Sequence, residues 1–359
     1  MATLEPSRWE RVRNFCIKNV LPLGFLVALV IALSWPAPGR EVSKPEVEGF
    51  RVLQTINVVI IFLISGLTLK TDDIKDALGR EGRLGYLYGI LAILGITGCV
   101  GFLAAEIPFD DREFSYGLSV FCVVPTSLSS GVTLVMNAGG NDALALLLTV
   151  TTNLLGVVTV PFFVQLVVQA GDDTSIDAVS LLIKLIVTVL VPLTIGKVVR
   201  EAIPGAKAWV KRLKVRLSLT SSAMLIMVVW QTLSRAQNTL TSVAFTQVLA
   251  VIASGIALHV IYLSINYPVC RYILKLKRRE LKAVVLMASQ KTLPVSVVVI
   301  GFLSNLGEEG LMTIPCIMGH ISQLFIDAYI ASRWANEVEP AVQGGGGGAV
   351  EVKRDSATV

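Results

Sequence analysis

Along the chain, apolar stretches near the 20 residues that cross a bilayer alternate with short polar or turn-forming segments. This pattern predicts ten spans, at 19–35, 53–69, 86–105, 114–138, 143–169, 177–199, 217–233, 245–272, 282–305 and 311–334. The expected class is an all-α polytopic membrane protein. Of the 359 residues, 53% are hydrophobic and 16% charged, against about 25% charged in an ordinary soluble chain. That excludes a soluble enzyme, a secreted disulfide scaffold and a disordered protein.

Charge then sets direction. Basic residues gather near the N-terminus, between Lys197 and Arg216, between Arg271 and Lys282, and after span ten; the opposite loops hold Arg40, Lys44, Arg51, Arg112 and Arg235. Lys and Arg resist translocation, so both termini are expected on the cytoplasmic side. The net charge of +5 therefore speaks for orientation and not for a nucleic-acid partner. Residues 1–18 mix Glu5 and Glu10 with arginines and are expected to form an inner-face segment rather than a transit peptide. Residues 336–359, with a glycine run at 344–348, are expected to form a disordered cytoplasmic tail. Cys16, Cys99, Cys122, Cys270 and Cys316 lack the paired spacing of a metal or redox centre, and no cofactor is expected.

Landmarks recur at one nearly constant offset. Pro22-Leu23 returns as Pro192-Leu193, Pro125 as Pro294, and Asn137-Ala138-Gly139 as Asn305-Leu306-Gly307. Five spans per copy is an odd number, so two copies face opposite ways, as inverted repeats at 19–169 and 170–335.

Interrupted spans at matching positions of two repeats point to a transport site. Span four reads Val124-Pro125-Thr126-Ser127-Leu128-Ser129-Ser130-Gly131, and span nine reads Ser289-Gln290-Lys291-Thr292-Leu293-Pro294. Proline removes a backbone donor, and the neighbouring hydroxyls can satisfy the freed groups. At about 1.5 Å per helical residue, Pro125 and Lys291 fall at nearly the same depth. An ammonium there costs at least about 2.5–3.5 kcal/mol to insert, so Lys291 needs a partner, a cavity or a solute. Asp327 in span ten lies at similar depth, and a Lys291–Asp327 ion pair is the expected structural role. The functional alternative is that Lys291 binds an anionic solute or supplies the fixed charge of a coupling ion. His320, Gln323 and Asp327 share a polar stripe on span ten, with His320 expected as a hydrogen-bonded core residue. Lys184 is expected to snorkel to the outer surface. His259 is assigned no role.

These residues resemble the bile acid:sodium symporter family, in its SBF-like branch, which has plant plastidial and vertebrate solute-carrier members. The likeness rests on Ile64-Ser65-Gly66-Leu67-Thr68-Leu69-Lys70, on the span-four run from Pro125 to Thr133, and on Gly139-Gly140-Asn141-Asp142. It rests further on Thr151-Thr152-Asn153, on the span-nine run, and on Pro315-Cys316 followed by His320, Gln323 and Asp327. The resemblance implies ten helices in two inverted five-helix repeats, a panel and a core domain, and helices four and nine broken and crossing. It places the substrate and ion site among Pro125, Thr126, Ser127, Ser129, Ser130, Thr133, Asn141, Thr149 and Asn153 of the first repeat. From the second it draws Ser289, Gln290, Lys291, Thr292, Pro294, His320, Gln323 and Asp327. It further implies a sodium site, of which Ser130, Thr149 and Gln290 are the matching members, whereas Gly131, Ala145 and Leu286 stand where an amide, a hydroxyl and a carboxylate belong.

The expected function is secondary transport of a small organic anion or metabolite by alternating access, either coupled to sodium through an altered site, coupled to protons, or uncoupled with Lys291 as the resident cation. Its partners are the lipid bilayer and the solute, and its setting is a plasma membrane or plastid envelope. The alternative is a non-transporting membrane regulator of calcium homeostasis. No GxGD, HExxH or GxSxG context is present, so an enzyme is not expected.

Overall fold

The computed structural model describes residues 8–69, 82–127, 130–171 and 176–336. Ser129, residues 1–7 of the N-terminal segment, the loop 70–81 and all but the first residue of the tail lie outside the described residues.

In chain order the helices are α1 (Arg8–Lys18), α2 (Val20–Ser34), α3 (Ala37–Ser43), α4 (Val52–Thr68), α5 (Gly82–Ala105), α6 (Arg112–Val123), α7 (Ser130–Asn137), α8 (Asp142–Gly171) and α9 (Ala178–Ala202). Next come α10 (Ala206–Arg212), α11 (Lys214–Arg235), α12 (Gln237–Leu240), α13 (Phe245–Ile273), α14 (Arg278–Ser289), α15 (Leu293–Ile300) and α16 (Glu309–Ala335). One hairpin, β1 (Glu46–Val47) and β2 (Phe50–Arg51), precedes α4 and pairs Glu46 with Arg51. Its turn holds Glu48 and Gly49 at φ of 50° and 77°. Among the described residues seven helical segments are long and apolar enough to cross a membrane, and α2 with α3, bent by 98° at Pro36, would make an eighth. Large apolar side chains such as Leu87, Leu103, Leu166 and Val187 are exposed along these helices, as lipid contact requires.

The helices sort into two groups. In the first, α4 packs on α9 and α11 packs on α2. The α4–α9 contact is a glycine seam: a Cβ on Gly66 would lie 2.1 Å from the Leu193 carbonyl oxygen, and one on Gly196 would lie 2.2 Å from that of Leu63. Small residues let the two backbones touch, the usual way helices gain contact in lipid. In the second group α5, α6, α8, α13, α14 and α16 pack around the non-helical stretches at 124–127 and 290–292.

Three π-helical turns had no sequence signal: Ala92–Ile96 in α5, Ile186–Leu190 in α9 and Val269–Ile273 at the end of α13. Each holds one residue more than a regular turn, and such bulges gather at functional sites.

Candidate functional site

The helical path stops at Val124, whose ψ of 155° is extended, and resumes at Ser130. It stops again at Gln290 (ψ 147°) and resumes after Thr292 (ψ 120°). Four helix ends therefore converge, the C-termini of α6 and α14 and the N-termini of α7 and α15. The two unwound strands touch: the Thr292 N–H donates to the Pro125 carbonyl at 3.0 Å, and Thr126 Oγ1 donates to the Met287 carbonyl at 2.7 Å.

Every backbone group freed by unwinding needs a partner where no water reaches. Gln323 of α16 serves the middle residue on both sides, accepting from the Lys291 N–H at 3.0 Å and donating to the Lys291 carbonyl at 2.7 Å. Its Nε2 also lies 2.9 Å from His320 Nδ1. In the other strand, Asn153 Nδ2 donates to the carbonyls of Thr126 at 3.1 Å and Thr149 at 2.8 Å.

The expected Lys291–Asp327 ion pair does not form. Lys291 Nζ donates to the carbonyls of Ile93 at 2.9 Å and Val124 at 3.1 Å, and lies 5.7 Å from the Tyr262 ring centroid. Ile93 sits in the π turn of α5, where the irregular ladder leaves its carbonyl available; Thr97 Oγ1 reaches it too, at 3.1 Å. Both oxygens are backbone, which explains why no acidic residue near Lys291 in sequence foretold them. Asp327 instead lies 2.9 Å from His259 Nε2 and accepts from Gln290 Nε2 at 2.8 Å. His259, which carried no expected role, is thus the residue that holds the buried acid. Its Nδ1 is 3.0 Å from the Ser289 carbonyl, so the ring bridges the unwound strand and the acid. Beyond Ser289, Asn266 Nδ2 donates to its hydroxyl at 3.3 Å, and Asn266 Oδ1 accepts from Tyr88 at 2.8 Å. A continuous polar path thus runs from α5 through α13 and α16 to the crossing.

The structure brings together Pro125, Thr126, Ser127, Ser130, Asn153, Ser289, Gln290, Lys291, Thr292, His320, Gln323 and Asp327. Thr126, Gln290, Lys291 and Asp327 are fully buried, whereas Ser130 is partly exposed. Others stand apart. Pro294 opens α15 half-buried, and Thr133 is exposed on α7. Asn141 caps α8 by accepting from the Leu144 N–H at 3.0 Å, while its own N–H donates to the Arg279 carbonyl at 2.9 Å.

Of the oxygens assigned to sodium, Ser130 Oγ reaches Gln290 Oε1 at 3.5 Å and pairs with the Ser127 hydroxyl. Thr149 spends its hydroxyl proton on the Ala145 carbonyl at 2.8 Å. Asp327 meets the nitrogen of the Gln290 amide, not its oxygen. A hard cation in low dielectric favours anionic oxygen, and Ser130, Thr149 and Gln290 offer only neutral oxygens. Among the described residues no group of three His, Cys, Asp or Glu side chains is placed to hold a metal ion.

The model of the SBF-like CPA transporter family matches residues 19–336. A rice protein (Oryza sativa subsp. indica) named "Probable sodium/metabolite cotransporter BASS4, chloroplastic" is 37% identical over 331 residues, covering 89% of this chain and 76% of the relative. The Arabidopsis thaliana protein of the same name is 37% identical over 332 residues, covering 90% and 74%. The rat (Rattus norvegicus) protein named "Sodium/bile acid cotransporter 7" is 31% identical over 226 residues, covering 62% and 63%.

Proposed function

The chain belongs to the SBF-like CPA transporter family, and from that premise we propose that it is a secondary transporter of a small organic anion working by alternating access. The observation that carries this is the crossing. The two unwound strands are joined by the Thr292 N–H to Pro125 carbonyl hydrogen bond, two helix N-termini meet two helix C-termini there, and an ammonium is held by carbonyls rather than a carboxylate.

In this reading ten spans form two inverted five-helix repeats, 19–169 and 170–335, with span four made of α6 and α7 and span nine of α14 and α15. The packing supports it: α4 on α9 is span two against span six, and α11 on α2 is span seven against span one, the pairing that exchanging the halves demands. The first helix group is the panel and the second the core. The charge bias puts both termini on the cytoplasmic side, so the hairpin and the start of α16 lie outside. Sodium coupling, which the relatives' names suggest, would run through an altered site.

The test is uptake of mono- and dicarboxylates by proteoliposomes, with and without a sodium gradient. Accumulation above protein-free vesicles supports the reading. Folded protein that moves none of them overturns it and favours the regulator.

A further inference from the structure

At the end assigned to the outside, a buried acid is held between two arginines with part of its hydrogen-bonding capacity unused. Glu309 opens α16, and its Oε2 accepts from Arg51 of the hairpin and, at 2.7 Å, from Arg235 at the end of α11. The other carboxylate oxygen, Oε1, is buried without a hydrogen-bond partner, and so is Arg235 Nη1. A third cation stands close by: Lys184 of α9 lies over the Phe302 ring, 5.1 Å from its centroid, beside Gly49. Among the described residues it enters no ion pair. Arg51, Gln54, Thr188, Gly301 and Phe302 line a cleft here, between α4 and α9 of the first helix group and the end of α15 in the second. Gln54 links the cleft to Arg235, whose Nη2 is 3.5 Å from its Oε1.

Arg51 therefore lines an opening between the two helix groups, Arg235 stands behind it through Gln54 and Lys184 beside it at Gly49, and both arginines close on the buried Glu309 while the exposed Glu308 acts on Arg235 from further off. A guanidinium fork is matched by the paired oxygens of a carboxylate or phosphate, and a buried N–H without an acceptor is a standing demand for one. Arg51 and Arg235 remain about one-fifth exposed, within reach of a solute.

We propose that this cleft is an entry site for a small oxyanion, a carboxylate or phosphate, and that Glu309 is the internal anion that occupies its arginines until the solute arrives. Arg51 and Arg235 belong to the first group and Glu309 to the second, so exchanging Glu309 for a solute oxyanion releases one group from the other. Pulling Glu309 away with nothing in its place would strand two partly buried guanidiniums, which keeps the empty cleft shut. Only the solute's onward passage rests on the transporter reading.

The reporter is Val58→Cys, deeper in the same cleft, with the exposed cysteines Cys16 and Cys99 replaced by serine. The full chain is reconstituted, and labelling by a membrane-impermeant maleimide is followed in acetate, succinate or inorganic phosphate, with sodium chloride at equal ionic strength as control. The oxyanions are expected to raise the labelling rate about fivefold or more over chloride. Glu309→Gln is expected to give the raised rate without any anion, and Arg235→Gln to abolish the anion effect, with Arg235→Lys retaining part of it. Equal rates in oxyanion and chloride overturn the site. So does an unchanged anion effect in Arg51→Gln and Arg235→Gln. Should a variant fail to fold, the wild-type comparison of oxyanion with chloride still decides. Anion-dependent labelling without uptake of any acid sinks the transporter reading and leaves the entry site standing. Uptake whose KM ignores both arginines does the reverse.

Discussion

Lys291 works against the stability of its own fold. Its ammonium has two carbonyls and an aromatic ring but no acid, and a buried charge without a counter-ion is costly. Lys291→Met should therefore melt at or above the wild-type temperature in nanodiscs while uptake is lost; a lower melting point together with normal uptake would make the residue purely structural. Gln323 is the opposite case. Gln323→Leu strands the N–H and carbonyl of Lys291 together, and the expected loss is about 1–3 kcal/mol in a denaturant titration. At this scale the sequence was half legible. Lys291, Gln323 and Asp327 announce themselves because polar groups are rare inside apolar spans. His259 does not, because its partner is 68 positions away and a lone histidine gives no spacing to read. The ammonium's real partners are main-chain oxygens, which no side-chain pattern encodes.

At the level of elements, the two breaks were readable because proline and a polar run coincide in each. Their mutual hydrogen bonds, and Asn153 and Gln323 as the side chains that satisfy them, depend on helix rotation, which apolar spans leave open. The glycine seam has its own effect. Gly196→Leu cannot be accommodated where a Cβ would already lie 2.2 Å from a carbonyl oxygen, so α4 and α9 must separate. The yield of monodisperse protein on size exclusion should fall several-fold, whereas Gly205→Ala, in a turn with nothing within 4 Å but a φ of 82°, should cost about 1 kcal/mol and leave the yield near wild type.

The whole molecule carries its polarity in its loops. If charge bias sets the orientation, tags at the two ends should be cut by protease only after the cytoplasmic face is opened; cleavage of either tag from outside would reverse the sidedness and place the Glu309 cluster within. The recurring landmarks suggest a duplication, and the resemblance implies a panel and a core, but which spans meet, such as α11 with α2, is not written in apolar runs that pack equally well in many pairings. The π turn of α5 reaches beyond its own five residues. Its spare residue, within Ala92–Ile96, rotates the first half of the helix by about 100° against the second half, and it is this offset that leaves the Ile93 oxygen facing Lys291. Deleting a single amino acid there, with every polar group retained, should restore a regular ladder and silence the protein. In this chain, then, spacing is inherited information in its own right: a frame-preserving loss of one codon would be as damaging as the loss of the lysine.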